Sequence, residues 1–313
     1  MKFMIKKIII TGGAGFIGSH LLEELLKNNY ELIVIDNLST GFIDNIKKYL
    51  DKIHFINDDL ESIDLNKFDD ISAFFHLAAQ TSVPYSIENF YYSSKSNILG
   101  SLKVIEYCSN RSIPLIYASS SAVYGNMSFG NENGKIDLLS PYSVDKYSME
   151  LYADYAYKIK KLNSFGHRFF NVYGPRQDPN SPYSGVISIF VNRLIKKQKI
   201  YVNGGYQTRD FVFVKDVVKC LLKSLNFLEN NSGNFISNIL TGKSISINDL
   251  VNQLSSILNF NAECVYRDLD PSDPEKSSGS IKNMEKLLKV DSKKFTVFES
   301  GLIKTIEWIK KNQ

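Results

Sequence analysis

The chain has 313 residues, of which 43% are hydrophobic and 22% are charged, and its net charge is +4 at pH 7. A chain of this length can bury one large core or form two lobes that share a cleft. Its basic residues are scattered and form no stripe interleaved with aromatic residues, so no nucleic-acid partner is expected. No run approaches the roughly 20 apolar residues of a membrane-spanning helix, so no membrane partner is expected either.

Three cysteines, Cys108, Cys220 and Cys264, lie far apart along the chain. Their odd number and wide spacing match neither a disulfide framework nor a zinc site, so no metal is expected. A reducing, cytoplasmic environment is the simplest compartment for such a chain.

Apolar runs of strand length alternate with helical patterns over the first half of the chain. The predicted strands span residues 7–11, 31–35, 53–56, 73–76, 115–118 and 165–169. The predicted helices span residues 16–28, 43–50, 97–110 and 142–160. This alternation predicts an α/β fold of the Rossmann type, a doubly wound parallel sheet with helices on both faces.

The pattern becomes irregular after residue 173. Further helices are predicted at 186–197 and from a cap at Ser246 to residue 258. We expect a dinucleotide-binding domain over residues 1–173, to which a segment at about 212–238 returns. A smaller C-terminal lobe, residues 174–211 and 239–313, would bind the substrate.

A glycine run at residues 12–18 follows the first predicted strand and opens the first helix. In this context its spacing is typical of a dinucleotide site, because glycine lets backbone N–H groups approach a pyrophosphate and a helix N-terminus favours the anion. An ordinary glycine turn is the alternative. The residues expected to contact the cofactor are Gly12, Gly15, Phe16, Ile17 and Gly18.

Asp36 ends the second predicted strand, 18 residues after Gly18, near the spacing of an acid that binds the adenosine ribose. Its carboxylate would accept hydrogen bonds from the ribose and repel a 2′-phosphate, so the predicted cofactor is NAD rather than NADP, with Asn37 beside it. A turn residue at a strand end is the alternative. Asp59 and Leu60 follow the third strand and would contact the adenine or cap a helix.

Tyr142 and Lys146 are four positions apart on a predicted helix, so their side chains share one face. A neighbouring ammonium favours the phenolate, which would lower the pKa of Tyr142 from about 10 and make it a general base. A purely structural pair is the alternative, because the chain has 18 tyrosines.

Three serines, residues 119–121, follow the strand at 115–118. That end of the strand is the sheet edge at which ligands bind in doubly wound folds. A serine hydroxyl there would hold a substrate hydroxyl against Tyr142. A polar loop is the alternative.

Together these features resemble the extended short-chain dehydrogenase/reductase family, and within it the nucleotide-sugar epimerases of the UDP-GlcNAc/UDP-glucose 4-epimerase branch. The resemblance spans nearly the whole chain. Besides the glycine run and the Tyr-Lys pair, it is carried by His-Leu-Ala-Ala at 76–79, Asn-Ile-Leu-Gly at 97–100, the segment 119–125, and Phe-Phe-Asn-Val-Tyr-Gly-Pro-Arg at 169–176.

The resemblance implies a role for each matching residue. Tyr142 would be the base, Lys146 its partner and a ligand of the nicotinamide ribose, and Ser120 the catalytic serine. Cofactor contacts are further implied for Ala78, Ala79 and Asn97, of which Asn97 would also support the active-site helix. Substrate contacts are implied for Ser82, Ser121, Asn171, Arg176, Arg209 and Ser277, with Arg209 pairing with a diphosphate. Structural hydrogen bonds are the alternative for Asn97 and Asn171.

The implied reaction is NAD-dependent oxidation of the C4 hydroxyl of a nucleotide-diphosphate sugar. If the keto sugar rotates and takes the hydride back on its other face, C4 is epimerised; if it leaves, the enzyme is a dehydrogenase. We expect a 4-epimerase, although no motif excludes the dehydrogenase. Dehydration is not expected, because the Asp-Glu pair of the dehydratases is replaced by Ser121 and Ala122.

The substrate signals conflict. Arg-Gln-Asp-Pro-Asn at 176–180 resembles the branch that acts on UDP-N-acetylhexosamines and their uronic acids, and a small Ser277, unless it is a surface serine, leaves room for an N-acetyl group. However, Asp270 replaces a phosphate-binding arginine, for which Arg267 could substitute.

Two functions are the alternatives to a 4-epimerase. One is a C4-dehydrogenase of a GDP-linked sugar such as a heptose, and the other is a non-catalytic dinucleotide-binding regulator. The resemblance also implies a homodimer formed through the helices at 97–110 and 142–160.

Overall fold

The computed structural model describes residues 6–181, 184–269 and 273–312. Within them the chain forms two compact units. The first contains the residues up to Ser120, Ser140–Arg168 and Val218–Ser237, and the second contains Ser121–Leu139, Phe169–Val217 and the residues from Asn238 onward. The functional division predicted from the sequence places residues 121–139 in the dinucleotide-binding domain, and it stays a prediction.

The described residues alternate between short strands and helices. The strands are β1 (Lys7–Thr11), β2 (Glu31–Ile35), β3 (His54–Ile56), β4 (Ile71–His76), β5 (Leu115–Ser120), β6 (Ser164–Phe169), β7 (Asn171–Tyr173), β8 (Ile200–Asn203), β9 (Thr208–Phe213), β10 (Asn234–Ile239), β11 (Ser244–Ser246), β12 (Cys264–Arg267) and β13 (Lys276–Ser277). The helices are α1 (Phe16–Lys27), α2 (Val83–Glu88), α3 (Phe90–Ser94), α4 (Gly100–Arg111), α5 (Pro141–Lys160), α6 (Val186–Ile195), α7 (Val214–Leu228), α8 (Ile247–Leu258), α9 (Lys282–Leu288) and α10 (Phe298–Lys311).

The first unit is built on a seven-stranded sheet in the order β10-β6-β5-β4-β1-β2-β3. Strand β1 pairs in parallel with β2 on one side and with β4 on the other, so the strand order reverses beside β1. The pairs β2–β3 and β4–β5 are also parallel. The Rossmann-type doubly wound fold is therefore confirmed, and in such folds ligands bind at the carboxyl ends of the strands where the order reverses.

The central strands are apolar along their length because helices cover both faces of the sheet. Ile8, Ile9 and Ile10 of β1 are completely buried, and so are Phe74 and Phe75 of β4. The strands predicted at 7–11 and 31–35 coincide with β1 and β2, and the other four agree with β3 to β6 to within two residues.

The active-site helix α5 begins one residue earlier than predicted, at Pro141, because Ser140 caps it. The Ser140 hydroxyl accepts the Ser143 N–H at 3.2 Å, and the Ser143 hydroxyl accepts the Ser140 N–H at 3.1 Å. This capping box fixes the first turn, which carries Tyr142.

Two predicted helices are corrected by the structure. The helix expected at 97–110 starts as a π-helical turn at Lys95–Leu99, and α4 begins only at Gly100. The helix expected at 43–50 folds as two separate 3₁₀ turns, Ile43–Asn45 and Lys47–Lys52.

The second unit contains a four-stranded sheet in which β9 pairs with β11, β13 and β7, and a two-stranded sheet of β8 and β12. Helix α8 begins after Ser246 as predicted, since the Ser246 hydroxyl accepts the Asp249 N–H at 3.0 Å. The strands of the second unit were not predicted from the sequence. Runs of two to six residues, such as β13 and β7, are too short to show the alternation of apolar and polar residues that is typical of a strand.

Candidate active site

The glycine run forms the turn between β1 and α1. Gly12 has a φ of +72°, a region that favours glycine, and a Cβ at this position would lie 2.7 Å from the backbone nitrogen of Ala78. A Cβ at Gly18 would lie 2.1 Å from the Gly12 carbonyl oxygen. Side chains are therefore excluded at both positions, and the backbone of the turn is left open to close approach by a ligand.

The N-terminus of α1 follows this turn directly. Gly15 is its N-cap and has no side chain to bond the first-turn N–H groups, and Phe16 and Ile17 are its first two residues. Because the first N–H groups of a helix lack partners within the helix and carry partial positive charge, they form an anion site. The site fits the pyrophosphate of a dinucleotide.

Asp36 directly follows β2 and is buried. Its Oδ2 accepts the Ala14 N–H and its Oδ1 accepts the Leu38 N–H, both at 2.9 Å. Burial raises the pKa of this carboxyl, and the backbone hydrogen bonds oppose that shift. The carboxylate thus connects the end of β2 to the glycine turn, and each oxygen keeps acceptor capacity for a ribose hydroxyl.

The neighbouring candidates for cofactor binding differ in their surroundings. The Asn37 side-chain amide donates to Asp59 Oδ1 at 2.6 Å, and both residues are exposed. Leu60 is partly buried against the hydrophobic core of the first unit. Asp59 and Leu60 therefore lie in a turn after β3, with Asp59 near the end of β2.

The segment after β4 is fixed by buried polar side chains. His76 Nδ1 lies 2.8 Å from the Thr11 hydroxyl and its Nε2 lies 3.0 Å from the Ser101 hydroxyl, while the Ala78 N–H donates to Thr11 at 3.3 Å. Burial lowers the pKa of His76 to about 3, and the charge of Lys146 acts in the same direction, so the ring is neutral. These bonds hold the backbone of Ala78, which is followed by Ala79, beside the glycine turn.

Asn97 lies in the π-helical turn and is buried. Its Oδ1 accepts the Gln80 N–H at 2.8 Å, and its Nδ2 donates to the Gln80 carbonyl at 3.1 Å and to Asp145 Oδ2 at 3.2 Å. Irregular turns of this kind recur at functional sites. Asn97 therefore connects the segment after β4 to α5, an arrangement that would support the active-site helix.

Ser120, Tyr142 and Lys146 come together at the end of β5. Ser120 is the last residue of β5, and its hydroxyl forms a side-chain hydrogen bond with the Tyr142 phenol. Tyr142 is 9% exposed, and its backbone N–H donates to the Ser86 hydroxyl at 3.2 Å. Lys146 is buried one helical turn further along; its Nζ donates to the Ala118 carbonyl at 2.9 Å and lies 5.8 Å from the centroid of the Tyr142 ring.

The electrostatics of this group differ from the sequence-based expectation. Burial raises the pKa of the Tyr142 phenol above its ordinary value, the hydrogen bond with Ser120 lowers it, and the nearby Asp145 carboxylate raises it further. Burial lowers the pKa of Lys146 to about 8, against the effect of Asp145. Lys146 does not bring the phenol below its usual pKa, because the desolvation of a buried phenol is the larger effect.

Three of the expected substrate residues lie on paired strands of the second unit. Asn171 begins β7, Arg209 lies in β9 and Ser277 ends β13, and both β7 and β13 pair in parallel with β9. Ser277 is directly opposite Arg209 in the register. The Asn171 amide donates to the Asp210 carbonyl at a long 3.4 Å.

Arg209 forms an ion pair that was not expected. Its Nη2 is bonded to the Asp273 carboxylate and its Nη1 donates to the Thr208 carbonyl at 2.8 Å. The Arg209 side chain is 9% exposed and that of Asp273 is 44% exposed. An anionic ligand of Arg209 would therefore compete with a carboxylate that lies at the surface.

The remaining candidates lie in turns and loops. Ser82 is the N-cap of α2, where its hydroxyl accepts the Tyr85 N–H at 3.1 Å. Ser121 begins the 3₁₀ turn Ser121–Tyr124 and is partly buried. Arg176 is partly buried, with a φ of +69°, in the loop after β7.

The substitution of Arg267 for a phosphate-binding arginine stays a prediction. The Arg267 guanidinium stacks on the Tyr201 ring, 4.1 Å from its centroid. Asp270, which replaces the arginine of the related enzymes, lies outside the described residues.

Two carboxylates on α5 were not predicted as site residues from the sequence. Asp145 accepts a hydrogen bond from Asn97, and Glu150 is buried between Ser119 and Arg168. A signal was present for Glu150, since it follows Lys146 by four positions and therefore lies on the face of the helix that carries the Tyr-Lys pair.

Residues 6–181, 184–269 and 273–312 contain no helix that combines the length and the apolar character needed to span a bilayer. Within the same residues, no three or more His, Cys, Asp and Glu side chains form a group that could hold a metal ion.

Comparison with known proteins identifies the family. The model of the NAD-dependent epimerase/dehydratase family matches residues 8–239. A provisionally named UDP-glucose 4-epimerase of Methanocaldococcus jannaschii is 37% identical over 97% of this chain and 99% of its own length. The chain belongs to this family, which confirms its resemblance to the extended short-chain dehydrogenases; it is an enzyme, and its cofactor is NAD.

Two solved structures resemble this chain along nearly its whole length. The UDP-N-acetylglucosamine 4-epimerase of Methanobrevibacter ruminantium, in complex with UDP-N-acetylmuramic acid, is 34% identical with a TM-score of 0.92 and covers 99% of each chain. The UDP-glucuronic acid 4-epimerase of Bacillus cereus, in complex with UDP-glucuronic acid and NAD, is 30% identical with a TM-score of 0.91 and covers 98% of this chain and 100% of its own. The alternative of a non-catalytic regulator is therefore set aside.

Proposed function

We propose that this enzyme is a 4-epimerase of UDP-linked hexoses, which oxidises the C4 hydroxyl and returns the hydride to the opposite face of the sugar. The observation that carries the proposal is the hydrogen bond between Ser120 and the buried Tyr142, with Lys146 one helical turn away. Relatives named as UDP-glucose, UDP-N-acetylglucosamine and UDP-glucuronic acid 4-epimerases support both UDP as the nucleotide of the substrate and C4 as the carbon atom that reacts.

The residues around the glycine turn fit NAD. The turn at Gly12, Gly15 and Gly18 would hold the pyrophosphate, because no side chain blocks its N–H groups. Asp36 would accept the ribose hydroxyls, and its charge would disfavour a 2′-phosphate. When bound, NAD⁺ supplies the hydride acceptor of the reaction.

Tyr142 would remove the proton of the C4 hydroxyl while Ser120 holds that hydroxyl in place. Two positive charges favour the phenolate in the complex, the Lys146 ammonium and the charge of the oxidised nicotinamide. After the keto sugar has rotated, Tyr142 would return its proton to the C4 oxygen. Burial of Tyr142 keeps water away from this proton transfer.

The second unit would bind the nucleotide diphosphate sugar. Arg209 would pair with the diphosphate in exchange for Asp273, since a buried guanidinium binds phosphate oxygens strongly. Ser277 lies opposite Arg209 on β13 and would leave room for a C2 substituent of the sugar. Contacts with the sugar and its diphosphate would be completed by Ser82, Ser121, Asn171 and Arg176.

A homodimer is the assembly that we propose. Helix α5 exposes an apolar stripe of Val144, Leu151, Tyr152, Tyr155 and Ile159, each between 43% and 60% exposed. These positions recur at helical spacing on one face. A stripe of this kind, on a 20-residue helix, suits burial against the same helix of a second copy.

We place the enzyme in the cytoplasm. Cys108, Cys220 and Cys264 form no disulfide in the part of the chain that the structure describes, and two of them are buried. Cysteines outside disulfides are suited to a reducing compartment.

The proposal is tested by product analysis on a substrate panel. Purified enzyme is incubated separately with UDP-N-acetylglucosamine, UDP-glucose, UDP-glucuronic acid and GDP-linked sugars, and the C4 configuration is followed by NMR. We expect interconversion of at least one UDP-sugar without net accumulation of NADH. No interconversion of any UDP-sugar, together with a lasting rise in absorbance near 340 nm, would rule out the epimerase.

A further inference from the structure

A buried polar cluster of Ser119, Glu150 and Arg168 lies next to the catalytic group, and the proposed reaction does not use it. The Glu150–Arg168 ion pair has side chains only 5% and 4% exposed. Arg168 Nε donates to Glu150 Oε1 at 2.9 Å and its Nη2 donates to Oε2 at 2.6 Å. The Ser119 hydroxyl donates to Oε1 at 2.5 Å, so the carboxylate connects α5 to both β5 and β6.

Stability alone does not account for this cluster. The desolvation of two buried charges offsets most of their attraction, and apolar side chains of similar volume often serve a core as well or better. What an ion pair adds is a fixed geometry, because a bidentate Arg–carboxylate pair defines the position of the carboxylate. The carboxylate of Glu150 in turn fixes the Ser119 hydroxyl, which donates a hydrogen bond to it.

The cluster continues the contacts of the active site along α5. Tyr142, Lys146 and Glu150 are four positions apart and share one face of the helix. Tyr142 bonds to Ser120, Lys146 bonds to the Ala118 carbonyl, and Glu150 bonds to Ser119. Three successive turns of α5 are thus bonded to the last three residues of β5.

We propose that Glu150, fixed by Arg168, is a positioning residue that holds Ser119 and thereby sets the place of the Ser120 hydroxyl against Tyr142. The inference rests on the proposed function, since it assumes that Ser120 and Tyr142 perform the reaction. A small displacement of a reacting group slows the reaction strongly, so the cluster affects the enzyme through kcat.

The decisive variant is Ser119→Ala, which removes one hydroxyl and leaves the ion pair in place. We expect kcat to fall roughly 10- to 100-fold, with the KM for the UDP-sugar and the melting temperature nearly unchanged. The acid limb of the pH profile should move to higher pH, because a displaced Ser120 no longer lowers the pKa of Tyr142. Ser119→Thr, which keeps a hydroxyl, should restore much of the rate.

The matched control is Ser109→Ala. Ser109 is also a buried serine of the first unit, but its hydroxyl donates within α4, to the Glu106 carbonyl at 2.9 Å. This variant should keep the kcat and the pH profile of the unaltered enzyme.

A double variant separates positioning from general loosening. In a Ser120→Ala background, Ser119→Ala should cause no further loss of kcat, because its effect passes through Ser120. Additive losses, or a Ser119→Ala enzyme with normal kcat while Ser120→Ala and Tyr142→Phe are impaired, would overturn the positioning role alone. Full activity of Ser120→Ala and Tyr142→Phe would instead overturn the proposed function.

Discussion

Lys146 and Tyr142 share one face of α5, with the Lys146 ammonium 5.8 Å from the centre of the Tyr142 ring and hydrogen-bonded to the Ala118 carbonyl. The ammonium therefore fixes the strand end through its hydrogen bond and lies close to the phenol ring. Burial keeps the pKa of Tyr142 high and lowers that of Lys146 to about 8. The protonation of both side chains therefore responds to any further charge nearby.

The charge of Asp145 should govern the pH dependence of the enzyme. Its carboxylate raises the pKa of both Tyr142 and Lys146, because a neighbouring anion disfavours phenolate and favours ammonium. Asp145→Asn removes that anion and should lower both pKa values. We expect both limbs of the profile of kcat/KM against pH to move to lower pH.

Asp154→Asn is the matched control for that measurement. It makes the same change on the same helix, where Asp154 pairs with Lys158 at the surface. Its pH profile should match that of the unaltered enzyme. A profile of Asp145→Asn that stays in place, or moves to higher pH, would contradict the electrostatic role of Asp145.

Asp36 should determine the choice between NAD and NADP. Removing the carboxylate in Asp36→Ala deletes the acceptors of the ribose hydroxyls, so the affinity for NAD should fall about 10- to 100-fold. The discrimination against NADP should fall as well, since the repulsion of the 2′-phosphate is lost. Calorimetric titration with both cofactors measures the ratio, with Asp44→Asn, an exposed acid of the same unit, as the control. An unchanged ratio would remove Asp36 from the site.

Asp273 should weaken substrate binding by neutralising Arg209. In Asp273→Asn the guanidinium is free to pair with the diphosphate, and we expect the KM for the UDP-sugar to fall about two- to five-fold. The modest size reflects the 44% exposure of the Asp273 side chain, because solvent screens such pairs. Steady-state kinetics at low and high salt measure it, and the difference should shrink at high salt. A rise in KM would show that Asp273 itself contributes to substrate binding.

The apolar stripe of α5 should hold the dimer together. A charged residue in Tyr155→Asp cannot be buried without a partner, so we expect the variant to be monomeric in sedimentation at micromolar concentration. Tyr266→Asp, a change of a tyrosine with nearly the same exposure in the second unit, is the control and should leave the mass unchanged. A dimer that survives Tyr155→Asp together with Leu151→Asp would place the interface elsewhere.

The first unit could be predicted from the sequence because its signals are local. Buried parallel strands such as β1 are continuous apolar runs, and the glycine turn and the Tyr142–Lys146 spacing each depend on a few neighbouring residues. The π-helical turn around Asn97 could not be predicted, since its shape depends on bonds to Gln80 and Asp145, which are distant in the chain.

The polar contacts of the candidate site were harder to predict for the same reason. The Arg209–Asp273 and Glu150–Arg168 pairs join residues 64 and 18 positions apart, and only the folded chain shows that they meet. The direction of the Tyr142 pKa was also missed, because desolvation depends on burial that the sequence does not display.

The most direct test of the account is the turnover of Tyr142→Phe. The variant lacks only the phenolic oxygen, and we predict that its kcat for C4 interconversion of UDP-sugars, followed by NMR, falls at least about 100-fold while its affinity for NAD is unchanged. Tyr147→Phe on the same helix should keep normal turnover. A Tyr142→Phe enzyme with the kcat of the unaltered protein would contradict the assignment of Tyr142 as the base.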